Sequence, residues 1–108
     1  MSDPRCGEVW WVDLGIAGKV RPVVVVNGPL ADDDYALLAT VPHTTSDHPS
    51  QYALRLQIAG LQDGFFNLQG LAPVPRGKFL RRIGILGIEQ QQALDQAIRR
   101  WLVLGSQG

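Results

Sequence analysis

The sequence predicts a mainly β domain, a small barrel or sandwich, carrying one amphipathic helix at its C-terminal end. Two observations carry that prediction. Twelve glycines and seven prolines among 108 residues fall as punctuation between short apolar runs, the pattern of a chain that turns often between strands. Near the end the apolar spacing changes to that of a helix.

Taken in order, "GEVWWVDL" (7–14) reads as a first strand and "RPVVVVN" (21–27) as a second. Pro22 opens the second, where no ladder donor is needed. Val23 to Val26 do not alternate, so both faces of that strand should be buried, one by the barrel interior and the other by a helix or a second subunit. "ADDDY" turns the chain into a third strand, "ALLATVP" (36–42), followed by a polar loop, "HTTSDHPS" (43–50). "YALRLQI" (52–58) alternates as a half-exposed strand does. "GLQDG" turns into "FFNLQGLAPV", and "FLRRIGIL" makes the last strand. From Glu89 to Leu104, the residues Leu94, Ala97, Ile98, Trp101 and Leu102 share one helical face. Glu89 near the start and Arg99 and Arg100 near the end suit the helix dipole, and Asp95 can pair with Arg99 one turn on. The length suits a single domain over 1–108.

Ten basic residues balance ten acidic ones, so net charge points to neither nucleic acid nor membrane. Charge is nevertheless concentrated. Asp32, Asp33 and Asp34 form an acidic knot, while Arg76, Lys78, Arg81 and Arg82 make a basic run. Such a run is either a solvated face or, because attraction acts within a Debye length, a phosphate-binding stripe. Cys6 is the sole cysteine, which excludes an intrachain disulfide and a cysteine-rich metal site. No signal-peptide pattern opens the sequence and no apolar run is long enough to cross a membrane, so a cytoplasmic protein without membrane contact is expected.

Three segments in order resemble the MazF/PemK family of toxins from bacterial toxin–antitoxin pairs. They are "GEVWWVDLG" followed by "RPVVVVN", then "TVPHTTS" (40–46), then "LRRIGILGIEQQQALDQAIRRWLVL". The resemblance implies a small SH3-like β-barrel with a C-terminal helix, a homodimer, and metal-independent endoribonuclease activity on single-stranded RNA. It also implies neutralisation by a cognate antitoxin, DNA binding by the toxin–antitoxin complex, and no cofactor. Carried over by motif, Arg21 and Thr44 are the implied catalytic residues. Where some relatives carry an acid before Gln69 and an arginine shortly after it, this chain has Leu68 and Leu71. Relatives of the same fold that poison DNA gyrase depend on a Trp near the extreme C-terminus, whereas Trp101 lies on the helix's apolar face and the tail is "GSQG".

Cleavage of RNA without metal uses the 2′-hydroxyl as nucleophile, and needs proton transfer and positive charge on the phosphate. Arg21 suits the charge role, since a guanidinium grips phosphate bidentately; the plain alternative is a surface arginine beside Asp13 or Glu8. Thr44 can donate its hydroxyl to a phosphoryl oxygen, and Thr45 and Ser46 are substitutes. His43, beside Thr44, is a candidate for proton transfer. Lys19, Gln69 and the run Arg76, Lys78, Arg81 and Arg82 are candidates to track RNA, the arginines being equally suited to an acidic antitoxin tail. A metal reading through His43, Asp47 and His48 is the weaker use of that loop.

Overall fold

In the computed structural model, residues 3–15, 19–45 and 49–105 are described. They form β1 (Glu8–Asp13), β2 (Val20–Val25), β3 (Leu37–Thr44), β4 (Ala53–Leu54), β5 (Phe65–Asn67), β6 (Ala72–Pro75), β7 (Phe79–Ile85) and one α-helix, α1 (Ile88–Leu102). The strands pair antiparallel in the order β4-β5-β3-β2-β1-β7, with β6 alongside β3. The sheet curls in a barrel-like way without closing: β7 pairs with β1 alone. Register shifts in the β1–β7 pairing, between Val9 and Trp10 and between Trp11 and Val12, make Ile83 and Leu80 the extra residues on β7 and add the local bend that a bulge brings.

Val23, Val24 and Val25 of β2 are buried on both faces, as the lack of alternation predicts, while Val20 at the strand's start is exposed. Val24 joins Val9, Val41, Phe66, Leu68, Leu86 and Leu94 in one core. Val23 and Val25 join Trp10, Val12, Leu38, Val74 and Phe79 in another. Helix α1 covers the first through Leu94, Ala97, Ile98 and Trp101, and the Trp101 ring packs 4.9 Å from Tyr52.

Several boundaries differ from the sequence-based expectations. Residues 52–58 contribute only the two-residue β4, although Leu54, Leu56 and Ile58 do pack on the first core. The third strand runs on through His43 and Thr44, which pair with Phe66 and Phe65, so the polar loop begins later than expected. The helix stops at Leu102, because Val103 turns left-handed with φ 57° and the Leu104 N–H caps the Arg99 carbonyl at 2.9 Å. Leu102 is exposed, and Asp95 accepts from Gln91 at 2.9 Å, one turn in the other direction.

Candidate active site

Arg21 and Thr44 come from the middle of the sheet. Arg21 follows the first residue of β2, where Pro22 fixes the backbone beside it. Thr44 ends β3, held in register with Phe65 of β5. Two open clefts meet at these side chains. The first, about 370 Å³, is lined by Trp11, Lys19, Arg21, Thr44, Thr45 and Gln62 among others. The second, about 450 Å³, is lined by Leu14, Arg21, Thr44, Ser50, Asn67 and Gln69 among others. Arg21, His43 and Thr44 line both, so they form the ridge between them.

Arg21 has no carboxylate partner among the described residues. The two acids of the plain alternative, Glu8 and Asp13, are engaged elsewhere. Glu8 accepts from the Arg82 guanidinium at 2.9 Å, from the Trp10 indole N–H at 3.1 Å and from the Arg5 backbone N–H at 2.8 Å. Burial pushes the Glu8 carboxyl up, but these donors and the Arg82 charge outweigh it and hold the group below its ordinary value. Asp13 stands opposite Val20, while Arg21 stands opposite Val12, and Asp13 accepts from the Gly15 backbone N–H.

His43 is 3% exposed and meets the Phe66 ring edge-on with centroids 5.0 Å apart. Its Nε2 is buried with no hydrogen-bond partner among the described residues. Gly64 explains the burial: a Cβ there would collide with the Thr44 carbonyl oxygen and stand 2.8 Å from His43 Cε1. Burial pushes the imidazole below its usual range, and the Asp63 carboxylate opposes that in part. The histidine at this site is therefore neutral near pH 7.

The remaining sequence candidates divide. Lys19, Thr45 and Gln69 line the clefts. Ser46, Asp47 and His48 lie outside the described residues, as do residues 16–18 of the loop before β2 and 106–108 of the tail. The basic run does not act as one stripe. Arg76 pairs with Asp3 at 3.2 Å and lies over the Trp10 ring, and Arg82 pairs with Glu8. Lys78 and Arg81 are exposed, and Arg81 stands opposite Trp11 of the first cleft. Gln62, Gly64 and Asn67 lay outside the segments that carry the resemblance, and Trp11 lay inside the first without being singled out. Their place at the site comes from pairings distant in sequence.

Fold and site together define a small barrel-like β protein with a cationic ridge open on both sides. The chain belongs to the PemK-like, MazF-like toxin family of type II toxin–antitoxin systems, whose family model matches residues 5–102. Solved structures of the same fold include an endoribonuclease in complex with its cognate antitoxin from a mycobacterial species. That match has 18% identity and a TM-score of 0.79, covering 94% of this chain and 96% of that one. MazF from Deinococcus radiodurans matches at 13% identity and a TM-score of 0.80, over 96% and 100% of the two chains. The Mycobacterium tuberculosis toxin MazF-mt6 matches at 21% identity and a TM-score of 0.75, over 90% and 97%.

Proposed function

We propose that this chain is a metal-independent endoribonuclease acting on single-stranded RNA, and that it works as the toxin of a pair with a cognate antitoxin. The observation that carries the reading is the Arg21 guanidinium, without a carboxylate partner among the described residues, beside Thr44 on the ridge between two clefts. A guanidinium without a counter-charge at the meeting of two clefts is placed to take an anionic ligand. A phosphodiester on the ridge would supply it and send one nucleotide into each cleft. Solved relatives described as endoribonucleases share this fold, which supports the assignment.

The chemistry then runs as follows. The RNA 2′-hydroxyl attacks the adjacent phosphorus, the bond to the 5′-oxygen of the next nucleotide breaks, and that oxygen takes a proton from solvent in the open cleft. Arg21 holds the two non-bridging oxygens through its planar fork as negative charge builds on them. Thr44 donates its hydroxyl to the same group. His43 is the proposed proton acceptor, since burial keeps it neutral; reaching its Nε2 requires Gly64 to move. Lys19 and Thr45 line the approach. The products carry 2′,3′-cyclic phosphate and 5′-hydroxyl ends. Lys78 and Arg81 are free to meet an acidic antitoxin segment that competes with RNA.

Incubation with a long single-stranded RNA in EDTA tests the reading. Discrete fragments are expected from the wild type. Arg21→Ala should lose about 10²–10³ in rate with its Tm almost unchanged, and Arg21→Lys should recover part of the loss, because a point charge lacks the fork. Full cleavage by Arg21→Ala, or a dependence on added divalent metal, overturns it.

A further inference from the structure

The two clefts differ in chemistry, and one side chain in the second is fixed in a way that makes it selective. Asn67 ends β5 and caps the short turn Leu68–Gly70 by accepting the Gln69 backbone N–H on Oδ1 at 3.2 Å. A backbone N–H needs an acceptor, so the amide cannot be flipped: Oδ1 faces the turn and Nδ2 is what remains to offer a ligand. Among the described residues nothing accepts from that Nδ2, and Asn67 lines the second cleft. Gln69, in the same cleft, has no such anchor. It can present either end of its amide and so cannot discriminate. The first cleft is lined by Trp11 and Gln62 among others, and an indole ring can stack on any base.

We propose that Asn67 is the specificity-determining residue of the second cleft, where its Nδ2–H donates to a keto base, guanine or uracil. The inference rests on the RNA reading of the ridge. Guanine presents O6 and uracil O4, whereas adenine and cytosine place an amino donor, N6 or N4, at the corresponding position. A donor that cannot turn round meets that amino group donor to donor. The arrangement selects by penalty as much as by attraction.

The test uses short single-stranded RNAs made uncleavable by 2′-deoxyribose at the scissile nucleotide, so that binding is read independently of catalysis. At each of the two nucleotides flanking the scissile phosphate, the four bases are compared by fluorescence anisotropy. The wild type is expected to bind G or U about three- to tenfold tighter than A or C at one flanking position, the range of a single net hydrogen bond. Asn67→Ser keeps an oxygen able to cap the turn but lacks the donor, and should bring that ratio close to one while all four RNAs still bind. Asn67→Asp also keeps the cap and replaces the donor by an acceptor; it should reverse the order to favour A or C. A wild-type ratio near one at both positions, or a ratio unchanged in Asn67→Ser, overturns the assignment even if the enzyme cuts RNA. A keto preference that Asn67→Ser removes, in a protein that cuts no RNA, leaves this assignment standing and overturns the catalytic reading.

Discussion

His43 is the residue where structure and acidity meet. In the unfolded chain its imidazole has its ordinary value of 6.5, and in the fold burial holds it lower. As pH falls the unfolded state therefore takes up this proton first. Stability tied to the neutral ring is complete above about pH 6.5 and drains below it, through the folded value. Glu8 is also held low, but its ordinary value is 4.5, so its loss begins in more acidic solution. The Tm of the wild type should fall between pH 7 and pH 5, and His43→Phe should flatten that part of the curve while leaving the Glu8 region intact. Equal falls in both proteins would remove His43 from the account. Gly64 sets how deep the ring sits. Gly64→Ala must displace the Thr44 carbonyl or the imidazole, which should cost about 1–3 kcal/mol of stability and reduce cleavage with it.

At the scale of elements, α1 is fastened by one fully buried side chain, Leu94, set into the core formed by Val9, Val24, Val41 and Phe66. Leu94→Ala should destabilise by about 2–5 kcal/mol, read as a lower urea midpoint with the slope unchanged. The helix was legible in the sequence because its signal is local: apolar residues one turn apart, with charges placed to suit the dipole. Strand β2 was legible because an unalternating run of valines has few other uses. Residues 52–58 misled because alternation records which side chains face a core, and Leu54, Leu56 and Ile58 do face one. It does not record whether the backbone finds a ladder, and only Ala53 and Leu54 do. His43 and Thr44 read as loop because the strand that pairs with them arrives some twenty residues later. The basic run read as a stripe because the carboxylates of Asp3 and Glu8, which neutralise part of it, are far away in sequence. Local pattern recovered most of the elements, whereas Arg21 and Thr44 were named through the family resemblance. The cleft walls depended on contacts that no local pattern contains.

The whole molecule exposes more apolar surface than its charge balance alone would suggest. Leu80 and Ile85 on β7 and Ile88 at the start of α1 are all more than half exposed, and among the described residues β7 pairs on one side only. A homodimer is the expected state, since such patches on a small chain ordinarily mark an interface. Sedimentation at micromolar concentration should give twice the 11.8 kDa chain mass; a stable single-chain species would overturn this. Among the described residues no helix is long and apolar enough to cross a membrane.

Strand β3 pairs with β2 on one side, and on the other with β6 along its first half and β5 along its second. A strand clasped by three neighbours cannot open without disturbing all of them, so its amides should be among the last to exchange with deuterium. Backbone protons of Leu38, Val41 and His43 are expected to outlast those of 55–63, which lie in no strand or helix. Thr44 thus sits on backbone held by ladders, while the segment facing it across the cleft, residues 60–62, has no ladder to hold it. Local opening would then admit a nucleotide or let one leave without loosening the hydroxyl that has to meet its phosphate.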